Sequence, residues 1–287
     1  MTDEFLAAER FLRAEARLLE RRLFDTLFRD APADGVVAAL RGYRNADGGF
    51  GHGLEPDKRC PASLPVDVEV AVQALAAAGA ADAGLLEAAC DFLSGVAAAD
   101  GSVPLAFPVI EDYPRAAHWT EWTYAPGLNP TAGLAGLLHR LGFEHQWREA
   151  ATAYCWRVIE SGELPDEVHA LGEAMTFLAY VPDRARAEKA APVVLERMTS
   201  SPMFQSMPKP GEYGLTPLHV AATADSPWRR LFDDAQLAAH LDQLAGAQQP
   251  DGGWPIAWEP PGAASRLEWR GIVTLQAVRT LRSYRKM

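Results

Sequence analysis

Seven polar side chains fall within eighteen residues of this chain: His52, Glu55, Asp57, Lys58, Arg59, Asp67 and Glu69. A carboxylic acid buried beside an apolar cavity resists ionisation, stays protonated near neutrality and can donate a proton. Asp67 and Glu69 are the leading candidate acids, Glu55 and Asp57 are further catalytic candidates, and His52 is a candidate ligand contact. A structural reading competes with this one. Asp67 and Glu69 would open a helix over 66–78, where acids favour the first turn. Glu55 and Asp57 would pair with Lys58 or Arg59 and brace the loop.

Aromatic residues are the second feature. Tyr113, Trp119, Trp122 and Tyr124 crowd one stretch beside Glu111, Asp112, His118 and Glu121, and Trp254, Trp258 and Trp269 crowd another. Aromatic walls stabilise cations and also stack on sugar rings, although such residues more often fill the core. Trp119, Trp122, Tyr124, Trp254 and Trp258 are the candidate substrate contacts. No Gly-x-Ser-x-Gly elbow, phosphate-binding loop or Rossmann glycine fingerprint is present.

These groups lie next to an internal repeat. Arg44-Asn45-Ala46-Asp47-Gly48-Gly49-Phe50-Gly51 returns as Gln249-Pro250-Asp251-Gly252-Gly253-Trp254-Pro255, each copy between helical segments. Glu55-Pro56 and Glu259-Pro260 each lie eight residues after the Asp, and a weaker copy occurs at Ala99-Asp100-Gly101-Ser102. Self-similarity at distant points marks repeated supersecondary units. Asp-Gly-Gly is expected to cap the preceding helix and reverse the chain, with Phe50 and Trp254 plugging helix seams.

At both copies the chain resembles the prenyltransferase and squalene-oxidase repeat, which builds the α/α toroid of terpenoid cyclases and protein prenyltransferase β subunits. The resemblance implies an all-α toroid of outer and inner helices ringing an apolar cavity. It further implies a hydrophobic, isoprenoid-like small molecule as ligand. Proton-initiated cyclisation or isomerisation would be the reaction, with Asp67 or Glu69 as acid and Trp119, Trp122 and Trp254 as wall. The family's signatures are mostly missing. Asp67-Val68-Glu69 is a truncated form of the cyclase DxDD motif, and Asp233-Asp234 lacks the third Asp of DDxxD. No Cys lies two residues after an Asp, as the zinc site of protein prenyltransferases requires, so no metal and no cofactor are expected.

Two rival functions stay open. A carbohydrate-active α/α barrel (lyase, hydrolase or epimerase) would work with two carboxylates, such as Glu121 with Glu111 or Asp112. A non-catalytic toroid would serve as a binding module. An acid-lined cavity favours sugars and an apolar one favours isoprenoids.

Helical periodicity supplies the elements. Phe5, Ala8, Leu12, Ala16, Leu19, Leu23 and Leu27 trace one helix face that Thr2 or Asp3 can cap. Further helical segments are expected at 33–44, 63–79, 83–98, 128–141, 145–160, 166–181, 184–198, 213–223, 232–247 and 265–284, about eleven helices in all. Loops 99–127 and 199–212 are long enough to act as lids or carry sites.

The chain reads as one domain over residues 1–287. Its 27 Lys and Arg stand against 38 Asp and Glu, a net charge of −11, and no basic face interleaved with aromatics is visible. Nucleic acid is therefore not an expected partner. No apolar run is long enough for stable membrane insertion. Three scattered cysteines and an N-terminus without a signal-like h-region point to the cytoplasm. Composition leaves the oligomeric state open.

Overall fold

A computed structural model describes residues 2–119 and 123–287. Its regular structure is α-helical, with three short 3-10 turns, and the described residues contain isolated β-bridges but no strands. The helices are α1 Asp3–Glu15, α2 Leu18–Phe28, α3 Asp34–Arg41, α4 Pro65–Ala78, α5 Ala83–Val96, α6 Leu128–Arg140, α7 Gln146–Glu160, α8 Val168–Tyr180, α9 Arg184–Thr199, α10 Pro217–Val220, α11 Asp234–Gly246 and α12 Ala263–Ser283. The all-α expectation holds.

Composition separates two kinds of helix. Along α4, nearly every residue from Pro65 to Ala76 is buried, and α6 buries Leu128 and then every residue from Pro130 to Leu138. A helix that is apolar all round must be covered on every side. In α9, by contrast, Ala187, Ala191, Val194, Leu195 and Met198 form one buried face, while Arg, Lys and Glu occupy the other. The contacts follow this division. α4 packs between α2 and α6, α6 between α4 and α8, α8 touches α10, and α12 touches α2 and α11. Helices α3, α5, α7 and α9 lie against α4, α4, α6 and α8 respectively, and α1 against α12.

The repeated turn occurs three times with one hydrogen-bond pattern. Asp47 Oδ1 accepts from Gly49 N at 3.0 Å, Asp251 Oδ1 from Gly253 N at 3.0 Å, and Asp100 Oδ1 from Ser102 N at 3.1 Å. The intervening glycines have φ of 88° at Gly48, 88° at Gly101 and 91° at Gly252. A Cβ at Gly48 would lie 2.5 Å from the Ala88 carbonyl oxygen in α5, and one at Gly101 would lie 2.7 Å from the Ala150 carbonyl carbon in α7. At Gly252 it would overlap the Ala7 carbonyl in α1. Each turn therefore docks on the backbone of another outer-type helix, and the last returns to the first. Phe50 and Trp254 are buried as expected.

Gly252→Ala is expected to cost at least about 1–2 kcal/mol from the left-handed backbone angle, with the overlap on Ala7 in addition. Gly246→Ala, at a position open to space, is the control in thermal unfolding. Equal melting temperatures for the two variants would contradict the docking role.

Three expectations are corrected. The first segment is two helices, because Ala16 and Arg17 are extended, with ψ of 158° and 163°. Both helices turn their apolar faces to the same core, so the periodicity runs on through the break. The helix expected over 213–223 shrinks to α10, because Leu215 is held extended between Met203 and Gln205: its N–H donates to Met203 O at 2.9 Å and its carbonyl accepts from Gln205 N at 2.8 Å. Finally, α3 is closed by Gly42, whose N–H reaches Ala39 O at 3.2 Å, and the Asp-Gly-Gly turn follows as a separate reversal bridging Arg44 and Phe50.

Candidate functional site

The loop between the first turn and α4 folds inward because its charges find partners there. Lys58 is fully buried, with Nζ 2.8 Å from Glu55 Oε2, 3.5 Å from Asp67 Oδ1 and 5.5 Å above the Trp119 ring. Burial works against its ammonium, but Asp67 and Glu55 more than offset this and raise its pKa. Asp67 Oδ1 also accepts from Glu55 N at 2.6 Å. Burial pushes Asp67 up to about 6 against the pull of Lys58. Asp67 thus ties the loop to the first turn of α4, and its Oδ2 is buried without a hydrogen bond.

Asp57 sits beside this anchor. Its backbone carbonyl accepts from Ala116 N at 2.7 Å, which pins it to the 99–127 segment. Oδ1 accepts from two indoles, Trp269 Nε1 at 2.7 Å and Trp258 Nε1 at 3.1 Å, while Oδ2 lies 3.4 Å from His118 Nε2. Burial, then the charge of Glu55, push the carboxyl up to about 7 despite the indoles and Lys58. A carboxylic acid with this value exchanges protons readily at neutral pH. The indoles are edge-on to each other at 5.0 Å, and Tyr213 is edge-on to Trp258 at 5.7 Å. Tyr213 OH is 2.7 Å from His169 Nε2, and His169 Nδ1 donates to Glu167 Oε1 at 2.6 Å. Glu167 is the cap of α8, accepting also from Ala170 N at 2.7 Å. Asp57 and this Tyr–His–Glu chain flank the same indole, Trp258.

A second carboxyl pair lies between α4 and α8. Glu69 and Glu173 meet over Gly133 of α6, where a Cβ would overlap both carboxylates. Burial, then Glu173, raise Glu69 well above the ordinary range, and burial raises Glu173. Two carboxyls at this separation share a proton. Gly133→Ala is expected to split the pair at a cost of about 1–3 kcal/mol. Carboxyl 13C NMR would then show the high-titrating glutamates of the native protein gone, and an unchanged titration would refute the sharing.

The cavity next to this cluster has a volume of about 650 Å³ and is walled by α2, α4, α6, α8, α12 and the segment after α10. Leu23, Ala74, Ala77, Met175, Ile272 and Leu275 make apolar stretches of its wall. These are interrupted by Gln73, Thr176, Gln276, His219 and the Arg17–Glu20 ion pair, with Arg140, Asp225 and Arg279 at one end. Pro56 and Trp269 belong both to the cavity wall and to the surroundings of Asp57, which lies behind them rather than in the wall itself.

The other candidates fall as follows. His52 is exposed, has φ of 59° and lies 2.9 Å from Asn45 Oδ1, bracing the first turn. Trp254 is buried, donating Nε1–H to Leu244 O at 2.7 Å. Tyr124 OH donates to Glu111 Oε1 at 2.8 Å, away from Asp57. Glu111 and Asp112 are exposed. Trp122 and Glu121 lie outside the described residues. The echo of Glu55 at Glu259 is only formal, since Glu259 is exposed and paired with Arg266. Glu173 and Gly133 had gone unnoticed, yet Glu173 is the sole carboxylate within the α8 segment Val168–Tyr180. A scan of protein-family models and a search of curated proteins find no match to this chain.

Proposed function

We propose that the chain is a cytoplasmic, terpenoid-cyclase-like α/α toroid that performs proton-initiated isomerisation or cyclisation of a largely hydrophobic small molecule, with Asp57 as the acid. The observation that carries this reading is a buried carboxyl poised near neutrality and held by two indole N–H groups, one of which, Trp269, belongs to the wall of a cavity of about 650 Å³. Trp258 and Trp269 would face the developing cation. Tyr213 would relay the proton released at the end, its oxygen accepting that proton as its own hydroxyl proton passes to His169 Nε2, with Glu167 stabilising the imidazolium formed. Asp67 and Glu69 move from acid to support in this reading, because Asp67 Oδ1 holds Lys58 and the Glu55 backbone and Glu69 lies against Glu173, although each keeps one buried oxygen without a hydrogen bond.

The carbohydrate reading draws on the density of carboxyls in this cluster, where Glu55, Asp57 and Glu167 lie beside Trp258 and Tyr213. The apolar walls below favour the first reading. Mass spectrometry of small molecules released from the denatured protein separates the two: a lipid-like species supports the proposal, and a recovered sugar sinks it.

A further inference from the structure

Arg279 of α12 lines the cavity at the end away from Asp57, and its guanidinium makes no hydrogen bond or ion pair among the described residues. Arg140, at the last turn of α6, lines the same end; among the described residues it donates only to Tyr180 OH, at 3.1 Å, and lies 5.1 Å over that ring. Arg140 and Arg279 are close enough to oppose each other's charge. Arg140 and Asp225 are exposed and Arg279 is half-buried, so this end of the cavity opens to solvent. The two guanidinium groups repel each other there, and their forks match oxyanions. The opposing charges are few. Asp225, held ionised by its bond to Thr223, faces both arginines, and the C-terminal ends of α6 and α8 add partial negative charge. The formal side-chain charges at this end thus sum to +1 before the helix ends subtract from it.

We infer that this end of the cavity binds the carboxylate head of an elongated molecule through Arg140 and Arg279, with its neutral body running along the apolar walls toward Trp269. One carboxylate has two oxygens, enough to meet both guanidinium groups. Trp269 and Arg279 are ten residues apart on α12, so the molecule spans about 15 Å. Leu23, Ala77, Met175 and Ile272 lie between. The site deepens the proposed function by giving its substrate an anionic end, and it rests on that reading only for what happens at Asp57.

Calorimetric titration of the full chain with n-decanoate, n-decyl phosphate, n-decanol and acetate tests this. Decanoate is expected to bind at least about tenfold more tightly than decanol or acetate. Arg279→Gln should weaken decanoate by about tenfold or more while leaving decanol unchanged. That variant relieves the repulsion with Arg140, so it should melt no lower than the native protein, and Arg279→Lys should retain part of the affinity. Asp57→Asn should bind decanoate as the native protein does, which separates failure of this site from failure of the acid. Decanol binding as tightly as decanoate, indifference to Arg279→Gln, or no binding at all would overturn the inference. Preference for decyl phosphate over decanoate would overturn the carboxylate assignment.

Discussion

Lys58→Met is expected to destabilise the protein by about 3–5 kcal/mol, the usual consequence of removing one partner from a buried ion pair. Lys58 is fully buried and is the counter-charge of both Glu55 and Asp67. Without it, Asp67 keeps only the Glu55 N–H at 2.6 Å, and its other oxygen already has no hydrogen bond. Total stabilities of about 5–15 kcal/mol are common for folded domains, so the loss is a large fraction of what holds the fold. The damage should shrink at pH 5, where Asp67 with its pKa of about 6 takes up a proton. Adding Asp67→Asn should restore much of the stability at pH 8. Denaturant titrations at both pH values check this. A midpoint that does not move in the single variant would mean that the loop holds itself without the buried lysine.

On the proposed acid role, Asp57→Asn is expected to remove about two to four orders of magnitude of turnover; independently of that role, it should make the protein more stable at alkaline pH. Asp57 keeps its proton to about pH 7 when folded, against an ordinary carboxylate value of 3.8. The folded state binds more protons than the unfolded state between these values, so stability falls as pH rises through that window. Asn carries no charge to bury and its oxygen still accepts from Trp258 and Trp269. The variant should therefore match the native protein near pH 4 and melt above it at pH 8. Under the proposed role of Asp57, activity of the native protein should fall above about pH 7, as the acid form is lost. If Asp57→Asn retained native turnover while the Tyr213→Phe variant lost it, the acid would have to be sought elsewhere in the cluster.

The turn was readable from sequence because its chemistry is local: an Asp oxygen bonds the N–H two residues on, and a glycine takes a positive φ. The same rule found the weaker copy at Asp100, whose hydrogen bonds match the others. The charged loop was also readable, since four carboxylates so close together require partners. Which acid is poised was not, because it depends on distant residues: the indoles that hold Asp57 come from positions 258 and 269. Glu173 meets Glu69 only because Gly133, on a third helix, leaves room. The break at Ala16 and Arg17 escaped for another reason. Periodicity reports which faces are covered, and both helices are covered by the same core.

The return of the third turn to α1 bears on how the molecule comes apart. A linear stack of repeats has two terminal units, held by a neighbour on one side only, and can lose them one at a time. Here the residues around Gly252 lean on Ala7, Gln248 Nε2 donates to Glu4 O at 2.9 Å, and Arg282 lies 5.2 Å over the Phe5 ring. The α1 helix is therefore held by α12 and the third turn as well as by α2, and among the described residues it is not a terminal unit that can peel away alone. Melting should then be a single cooperative event, with amide exchange in α1 as slow as in the helices at the centre of the chain.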